Sequence, residues 1–425
     1  MSAREPATGR QRGRIAMVSH CHYLADPRVR RQAEALAAHG YAVEVICQRQ
    51  PGEPAVEQRH GVTVRRVGGA KYRGPSLGRY VLTYGRFFLQ ALATVTREHC
   101  QQSYAAVQVY SMPEALLLTA LWPRLAGVPL IYDAGDLTSD LYTAKFGARG
   151  GPLAAALLRA QERWCLRLAD LVVTVHEEYR QRLLARGVPA ERLLVVMNLP
   201  DERLFYPRPR PATHAVASVA PPGTFTLVFH GTLVARYGVD LAVEAVARLR
   251  ERLPGLQLRI YGDGDLRPRL VQLIAALGLE NQVFLSPGYV PLEEIPALLA
   301  AADAAVVPTR VDAFTETILP NKLLEYLALG LPTVVTRTRT VVAHVPETAV
   351  EYCAPDDVEA LARAIERLYT DPARRAALAA GARAFSATHR WADAAAAYCA
   401  AVDTLVARRR SGARLSHLRA ATVRR

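Results

Sequence analysis

The residues best suited to chemistry are Lys322 and Glu325, in the run Pro320-Asn321-Lys322-Leu323-Leu324-Glu325. If a helix starts after Pro320, the two project from the same face of its first turn, because they are three positions apart. A helix N-terminus offers N–H groups without intrahelical acceptors and a partial positive charge, and a lysine there adds a point charge. A diphosphate matches that arrangement. Glu325, set among Leu324, Tyr326 and Leu327, can accept two hydrogen bonds from a ribose diol. The alternative is a solvent-facing Lys–Glu pair on an amphipathic helix.

Such a pair needs a strand to deliver it and a helix to hold it. The stretch 306–332 reads as strand end, loop, helix start, a stop at Gly330 and the next strand. It sits in a series of strands at 226–230, 257–261, 283–285, 304–307 and 332–336, with helices over 239–252, 266–277, 292–302 and 322–329. A long alanine-rich helical tail covers 358–408. An earlier series has strands at 14–19, 43–47, 62–67, 106–110, 129–133, 171–175 and 193–197, with a helix over 28–39 closed by Gly40. Near-continuous apolar strands of this kind belong to parallel sheets buried on both faces. Between the two series, Pro207, Pro209, Pro211 and Pro221 break any regular element.

The fold class expected is therefore α/β, with two Rossmann-like domains whose parallel sheets face a cleft, since open parallel sheets bind ligands beyond the carboxyl ends of their strands. The domains expected are a first domain at 14–200, a linker at 201–223, a ligand-binding domain at 224–390, a helix at 391–407 returning to the first domain, and a basic tail at 408–425. Length agrees: 425 residues, 51% of them hydrophobic, can fill two cores. No stretch reaches the ~18 uninterrupted apolar residues of a membrane span. The six cysteines lie far apart without metal spacing, which suits a reducing, cytoplasmic setting. The net charge of +14 favours an anionic partner. Part of it sits in the tail, where 408–425 holds seven arginines and no acid. That tail is either a disordered, solubilising end or a membrane adhesive.

The pattern P-N-K-L-L-E-Y-x-A-x-G-x-P, with A-D-A-A-V-V-P upstream, resembles the nucleotide-sugar site of the retaining GT-B enzymes of glycosyltransferase family 4. Further segments fall in that family's order: Asp26-Pro27-Arg28-Val29-Arg30, Pro129-Leu130-Ile131-Tyr132-Asp133, His230-Gly231-Thr232-Leu233 and Gly262-Asp263-Gly264. The resemblance implies that Glu325 binds the ribose and that Lys322, with the backbone at Asn321, binds the diphosphate. It implies a nucleotide-sugar co-substrate, UDP- or GDP-linked, with no cofactor and no metal. Preorganised cations can stabilise the departing diphosphate.

The chain departs from the family pattern at three places. Where many members carry a first glutamate eight residues before Glu325 stands Thr317, with Glu316 one position away; either can serve the donor sugar. The family's G-R-L-x-x-x-K-G is Gly231-Thr232-Leu233-Val234-Ala235-Arg236-Tyr237-Gly238 here, which leaves Arg236 as the candidate cation for the pyrophosphate. The histidine of Y-D-x-H-D-L is Gly135, so Asp136 becomes the polar candidate for catalytic assistance, with a helix cap as its alternative role. Gly288 and Tyr289 fall where the family's backbone meets the base. Gly262-Asp263-Gly264 allows a close backbone approach or simply a turn.

On the acceptor side, His20, His22 and His176 follow strands. The segment 61–96 carries Arg65, Arg66, Lys71, Arg73, Arg79 and Arg86 with no acid, interleaved with Tyr72, Tyr80, Tyr84, Phe87 and Phe88. This is either a dock for an anionic membrane surface or a basic loop leading into a core helix. Family members commonly act on lipid-linked or oligosaccharide acceptors. The expected activity is retaining sugar transfer in cell-surface glycan or glycolipid synthesis, by a cytoplasmic protein peripheral to the membrane. Two rivals stand beside it. One is a catalytically weak partner subunit that binds nucleotide; the other, a nucleic-acid binder, lacks any stacking motif or reading helix.

Overall fold

A computed structural model of the chain describes residues 12–69, 77–135, 139, 151–207 and 224–422. The chain divides into two compact units, Met1–Met197 with Ala394–Arg425, and Asn198–Asp393.

The first unit is built on an eight-stranded sheet. In chain order the strands are β1 (Arg14–Val18), β2 (Ala42–Gln48), β3 (Val56–Arg59), β4 (Val62–Val67), β5 (Ala106–Tyr110), β6 (Leu130–Asp133), β7 (Leu171–Thr174) and β8 (Leu193–Val195). Their spatial order is β3-β4-β2-β1-β5-β6-β7-β8. All pairs are parallel except β3 with β4. Strand β3 is one that sequence patterning missed. Its Val-Glu-Gln-Arg run is mostly exposed and has no apolar alternation. Its hairpin turns through His60 and Gly61, both at positive φ, so the two-residue turn lacks the usual Asn-Gly signal.

Helix α1 (Pro27–Ala38) starts where Asp26 accepts hydrogen bonds from the amides of Arg28 and Val29. Helix α2 (Leu77–Gln101) buries Phe87, Ala91 and Val95, spaced four apart, in the unit's core. Each fully buried side chain of Phe or Val size contributes about 1.5–3 kcal/mol. The core-helix reading of the basic segment thus holds for Phe87, with Tyr84 and Phe88 packed alongside. Arg65 pairs with Glu44 and Glu98, and Arg66 with Glu53 and Glu57, so these two arginines brace the sheet and are not available to a lipid surface. Arg79 and Arg86 are exposed. Lys71, Tyr72 and Arg73 lie outside the described residues.

A 3-10 helix (Glu114–Ala120), α3 (Leu121–Leu125), α4 (Pro152–Leu168) and α5 (Glu177–Ala185) complete the crossovers of this unit.

The second unit holds a wholly parallel six-stranded sheet. Its strands are β9 (Phe225–His230), β10 (Leu256–Tyr261), β11 (Val283–Leu285), β12 (Ala304–Val307), β13 (Thr333–Thr336) and β14 (Glu351–Cys353), in the order β11-β10-β9-β12-β13-β14. Its helices are α6 (Val239–Leu249), α7 (Arg267–Ala276), α8 (Ile295–Ala300), α9 (Asn321–Ala328), α10 (Arg339–His344), α11 (Val358–Thr370) and α12 (Pro372–Thr388); the last helix, α13 (Trp391–Thr422), belongs from Ala394 onward to the first unit. Strand β14 and helix α10 are too short to leave a periodic signal.

The helical tail expected over 358–408, with its last helix at 391–407, consists of three helices. Asp371 ends α11 and caps α12, whose first residue is Pro372. Helix α13 does not stop near 408 but runs to Thr422, so the expected disordered end is helical there. Within the first unit, its Tyr398 donates to Gln108, and Asp403 accepts from Arg12, His39 and Tyr41.

Candidate functional site

Strand β9 is buried along its whole length and ends in a polar residue, His230. Gly231 follows with φ of 114°, turning the chain away from the sheet. Close above it comes the loop after β10. A Cβ on Gly262 would lie 1.9 Å from the Gly231 carbonyl oxygen, and one on Gly264 would lie 2.4 Å from that of Leu233. The Gly-Asp-Gly segment therefore serves close backbone approach, but the partner is the neighbouring loop. Arg267 and Ser286 tie the set together. The Arg267 guanidinium donates to the carbonyls of Gly262 and Ser286, and the Ser286 hydroxyl takes the Gly262 amide. Neither residue stood out in the sequence.

Helix α9 begins beside this scaffold, with Pro320 in extended conformation at its N-cap. Lys322 and Glu325 share a face as expected, but both are buried, so the exposed-pair alternative fails. The Lys322 ammonium lies 3.8 Å from the centroid of the Phe229 ring and 4.6 Å from that of Tyr237. A Cβ placed on Gly231 would sit 3.4 Å from Nζ. Lys322 Nζ has no hydrogen-bond partner among the described residues. Burial pushes its pKa down to about 7, against the opposing pull of Glu325. Tyr237, which replaces one of the family's cations, supplies a ring face to a cation instead.

Glu325 is held by a chain of hydrogen bonds. His230 Nε2 lies 2.6 Å from Glu325 Oε2, and His230 Nδ1 lies 2.9 Å from the Tyr326 hydroxyl. That hydroxyl also accepts from the His230 amide at 3.0 Å. The consistent assignment has Tyr326 O–H donating to Nδ1 and Nε2–H donating to the carboxylate. Burial raises the Tyr326 pKa and keeps the phenol protonated. One carboxylate oxygen is thereby fixed; Oε1 takes no protein partner among the described residues. The sequence run His230-Gly231-Thr232-Leu233 does not by itself give His230 a role. A histidine closing an otherwise apolar buried strand was the available signal.

Asn321 is exposed in the first turn of α9, and Thr232 is exposed after Gly231. The Arg236 guanidinium stacks over Phe314 at 4.8 Å, in a cavity also lined by Val234, Ala235, Arg310, Val311, Asp312 and Asp356. Arg310 is fixed there by a bidentate pair with Asp240. Gly288 accepts from the Ser286 hydroxyl through its carbonyl, while Tyr289 is exposed.

Two sugar-side expectations change. Thr317 is buried, and its hydroxyl donates to the Phe314 carbonyl at 2.7 Å. Glu316 is half-buried, and its Oε2 accepts the Arg339 amide at 2.7 Å at the start of α10.

In the first unit, His22 pairs with Glu53, His20 meets Gln48 between the rings of Tyr84 and Phe87, and His176 caps α5 by accepting the Tyr179 amide. All three have structural partners. Gly135 lies beside the Asp133–Arg28 pair, and Asp136 lies outside the described residues.

Residues 224–371 match the family described as glycosyl transferases group 1, and residues 25–198 match the glycosyl transferase 4-like domain. The chain is similar to D-inositol 3-phosphate glycosyltransferase of Geodermatophilus obscurus, with 31% identity over 394 residues, covering 88% of this chain and 83% of that one. It is also similar to 2-deoxystreptamine glucosyltransferase of Streptomyces kanamyceticus, with 26% identity, 81% of this chain and 89% of that one. Among solved structures it resembles sucrose-phosphate synthase from Thermosynechococcus elongatus, with a TM-score of 0.69 at 21% identity, covering 97% of this chain and 100% of that one. Anabaena HepE in complex with UDP-glucose gives a TM-score of 0.64 at 19% identity, covering 94% and 100%. At these identities the structural likeness speaks for the fold alone, which is GT-B. The chain belongs to the group 1 glycosyltransferases, and the buried Lys322–Glu325–His230 cluster lies inside the segment that carries that match.

Proposed function

We propose that this glycosyltransferase takes a UDP- or GDP-linked sugar and transfers it, with retention and without a metal, to a lipid-linked or glycan acceptor in cell-surface polysaccharide or glycolipid synthesis. One observation carries the proposal: a lysine ammonium buried, without a hydrogen-bond partner among the described residues, at the first turn of a helix. Such a group is costly unless something completes it. A diphosphate completes it, because the amides of the first turn and Lys322 then bind one anion together. Glu325, with one oxygen clamped by His230, presents the other to the ribose diol. Arg236 adds a cation on the neighbouring loop. As the leaving diphosphate gains charge, these preorganised groups stabilise it more than the intact donor, which is what transfer requires.

For the acceptor, relatives offer both soluble and lipid examples. A matched mannosyltransferase of Mycolicibacterium smegmatis is named for a phosphatidylinositol monomannoside. No helix among the described residues is long and apolar enough to cross a membrane. We place the protein in the cytoplasm, at the inner face of the cell membrane.

A second reading has a specific observation behind it. The Thr317 hydroxyl and one oxygen of Glu316 are engaged by the protein, so a catalytically weak subunit that binds nucleotide fits the sugar side. One experiment separates the two: thermal shift with a panel of nucleotide sugars, followed by transfer and hydrolysis assays with and without EDTA. Donor-induced stabilisation with EDTA-insensitive turnover is expected. Stabilisation without turnover on any acceptor supports the weak subunit, and no stabilisation by any donor in wild type sinks both.

A further inference from the structure

We propose that the outer face of the first unit formed by α2, α3 and α4 is a docking surface for an anionic lipid bilayer, centred on Trp122 and Trp164. Of the 61–96 segment that the sequence singled out, only the outward stripe of α2 with Leu82, Arg86 and Leu89 belongs to this face, since Arg65, Arg66 and Phe87 are spent on the fold.

The chain has three tryptophans. Trp391 is buried, whereas Trp122 and Trp164 are 50% and 42% exposed. On α4, Leu153, Leu157 and Trp164 recur at i, i+4 and i+11, which makes one outward apolar ridge; Leu153 is 72% exposed. Helix α3 adds Leu125, 73% exposed, beside Trp122. On α2 the exposed Leu82 and Leu89 stand one and two turns along an outward stripe that contains Arg86. The 3-10 helix Glu114–Ala120 packs against α2, α3 and α4, so these ridges surround one element on one face.

Charge selects the occupant. Arg159, Arg163 and Arg167 are exposed on the stripe adjoining the α4 ridge, at i, i+4 and i+8, and take no protein partner among the described residues. The acids of these elements, Glu98, Glu114 and Glu162, are all buried. Glu162 is held by Arg186 and Ser139. Among the described residues, these elements therefore present large apolar tips and cations with no exposed carboxylate. Tryptophan prefers the boundary between headgroups and acyl chains, arginine pairs bidentately with phosphate, and a helix with both lies in the plane of an anionic surface. A protein partner would need a complementary acidic patch, and a second copy of this face would set arginine against arginine.

The choice of a lipid occupant rests on the lipid-acceptor reading above, but vesicle binding requires neither donor nor acceptor, so the two fail separately. The experiment is co-sedimentation of the full chain with vesicles of phosphatidylglycerol and phosphatidylethanolamine, against pure phosphatidylcholine, over a salt series. Binding to the anionic vesicles that weakens with salt is expected. Replacing Arg159, Arg163 and Arg167 together with glutamine should reduce it roughly a hundredfold. Trp122→Ser with Trp164→Ser should reduce it at least as much and remove the blue shift of tryptophan emission on binding. Circular dichroism and donor-induced thermal shift should match wild type in both variants, which keeps loss of folding apart from loss of docking. Absence of vesicle binding by the folded chain overturns the proposal, as does equal binding by the variants. A dimer in solution that the tryptophan variant dissolves also overturns it, by giving the face to a second copy.

Discussion

Each unit buries a charge, and the two are treated in opposite ways. In the first, Asp133 at the end of β6 accepts two contacts from the Arg28 guanidinium, at 2.9 and 3.1 Å, and one from Gln32 at 2.9 Å. Gln32 in turn accepts from Gln108 and Tyr110, and Tyr398 of α13 donates to Gln108. Arg28 also reaches the Val196 carbonyl after β8. Both oxygens of the Asp133 carboxylate are neutralised and hydrogen-bonded, so this charge joins α1, β5, β6 and α13. In the second unit, Lys322 is also buried, yet among the described residues its ammonium meets two ring faces and takes no hydrogen bond. A buried charge that is satisfied is architecture. One left open is held in reserve for an incoming opposite charge.

The largest effect should come from breaking the satisfied charge. Asp133→Ala leaves Arg28 buried without its counter-ion and should destabilise the first unit by about 3–5 kcal/mol, read as a lower midpoint in urea unfolding. A midpoint near wild type would mean that water replaces the carboxylate.

Lys322→Met should do the reverse. Donor binding should fall a hundredfold or more, while the melting temperature at neutral pH rises by roughly several degrees, because an unsatisfied amine is exchanged for a packed side chain. The gain has a sign in pH. The unfolded lysine holds its proton up to about pH 10.4, whereas the folded one gives it up above about 7. Between those values the unfolded state binds more protons, so wild-type stability rises with pH and the advantage of the variant shrinks. Donor binding, which favours the charged amine, should weaken above about pH 7 and take up a proton. Calorimetry in buffers of different ionisation enthalpy measures that uptake.

A smaller change is expected at His230. His230→Phe removes the clamp on Glu325 and should raise donor KM about tenfold, with kcat less affected, since a hydrogen bond to a charged group contributes about 1.5–3 kcal/mol. An unchanged KM would show that Glu325 needs no positioning. The smallest effect belongs to Glu316→Gln, which weakens the cap on α10 by about 0.5–1 kcal/mol and leaves donor affinity alone. A large loss of donor affinity would return Glu316 to the sugar.

Much of the fold was legible because parallel strands buried on both faces advertise themselves as apolar runs, and the helices between them carry 3.6-residue periodicity. Strand β3 and β14 were not, since an edge strand of polar residues and a three-residue strand owe their existence to their partners. Asp371-Pro372 marked a helix boundary that was passed over within an alanine-rich stretch. At the site, Lys322 and Glu325 were legible because their spacing alone puts them on one helical face. His230 was not, because its role depends on a residue 95 positions away.

The order of apolar runs, the helix start after Pro320 and the single face shared by Lys322 and Glu325 were determined by the sequence alone, since each depends on residues within a few turns of one another. Tertiary structure decided which polar groups are already spent. Arg65 went to Glu44, one oxygen of Glu316 to α10, His230 to Glu325, and Lys322 to no hydrogen-bond partner among the described residues. Satisfaction of a buried group depends on what distant segments bring within about 3 Å of it, and no local pattern contains that information.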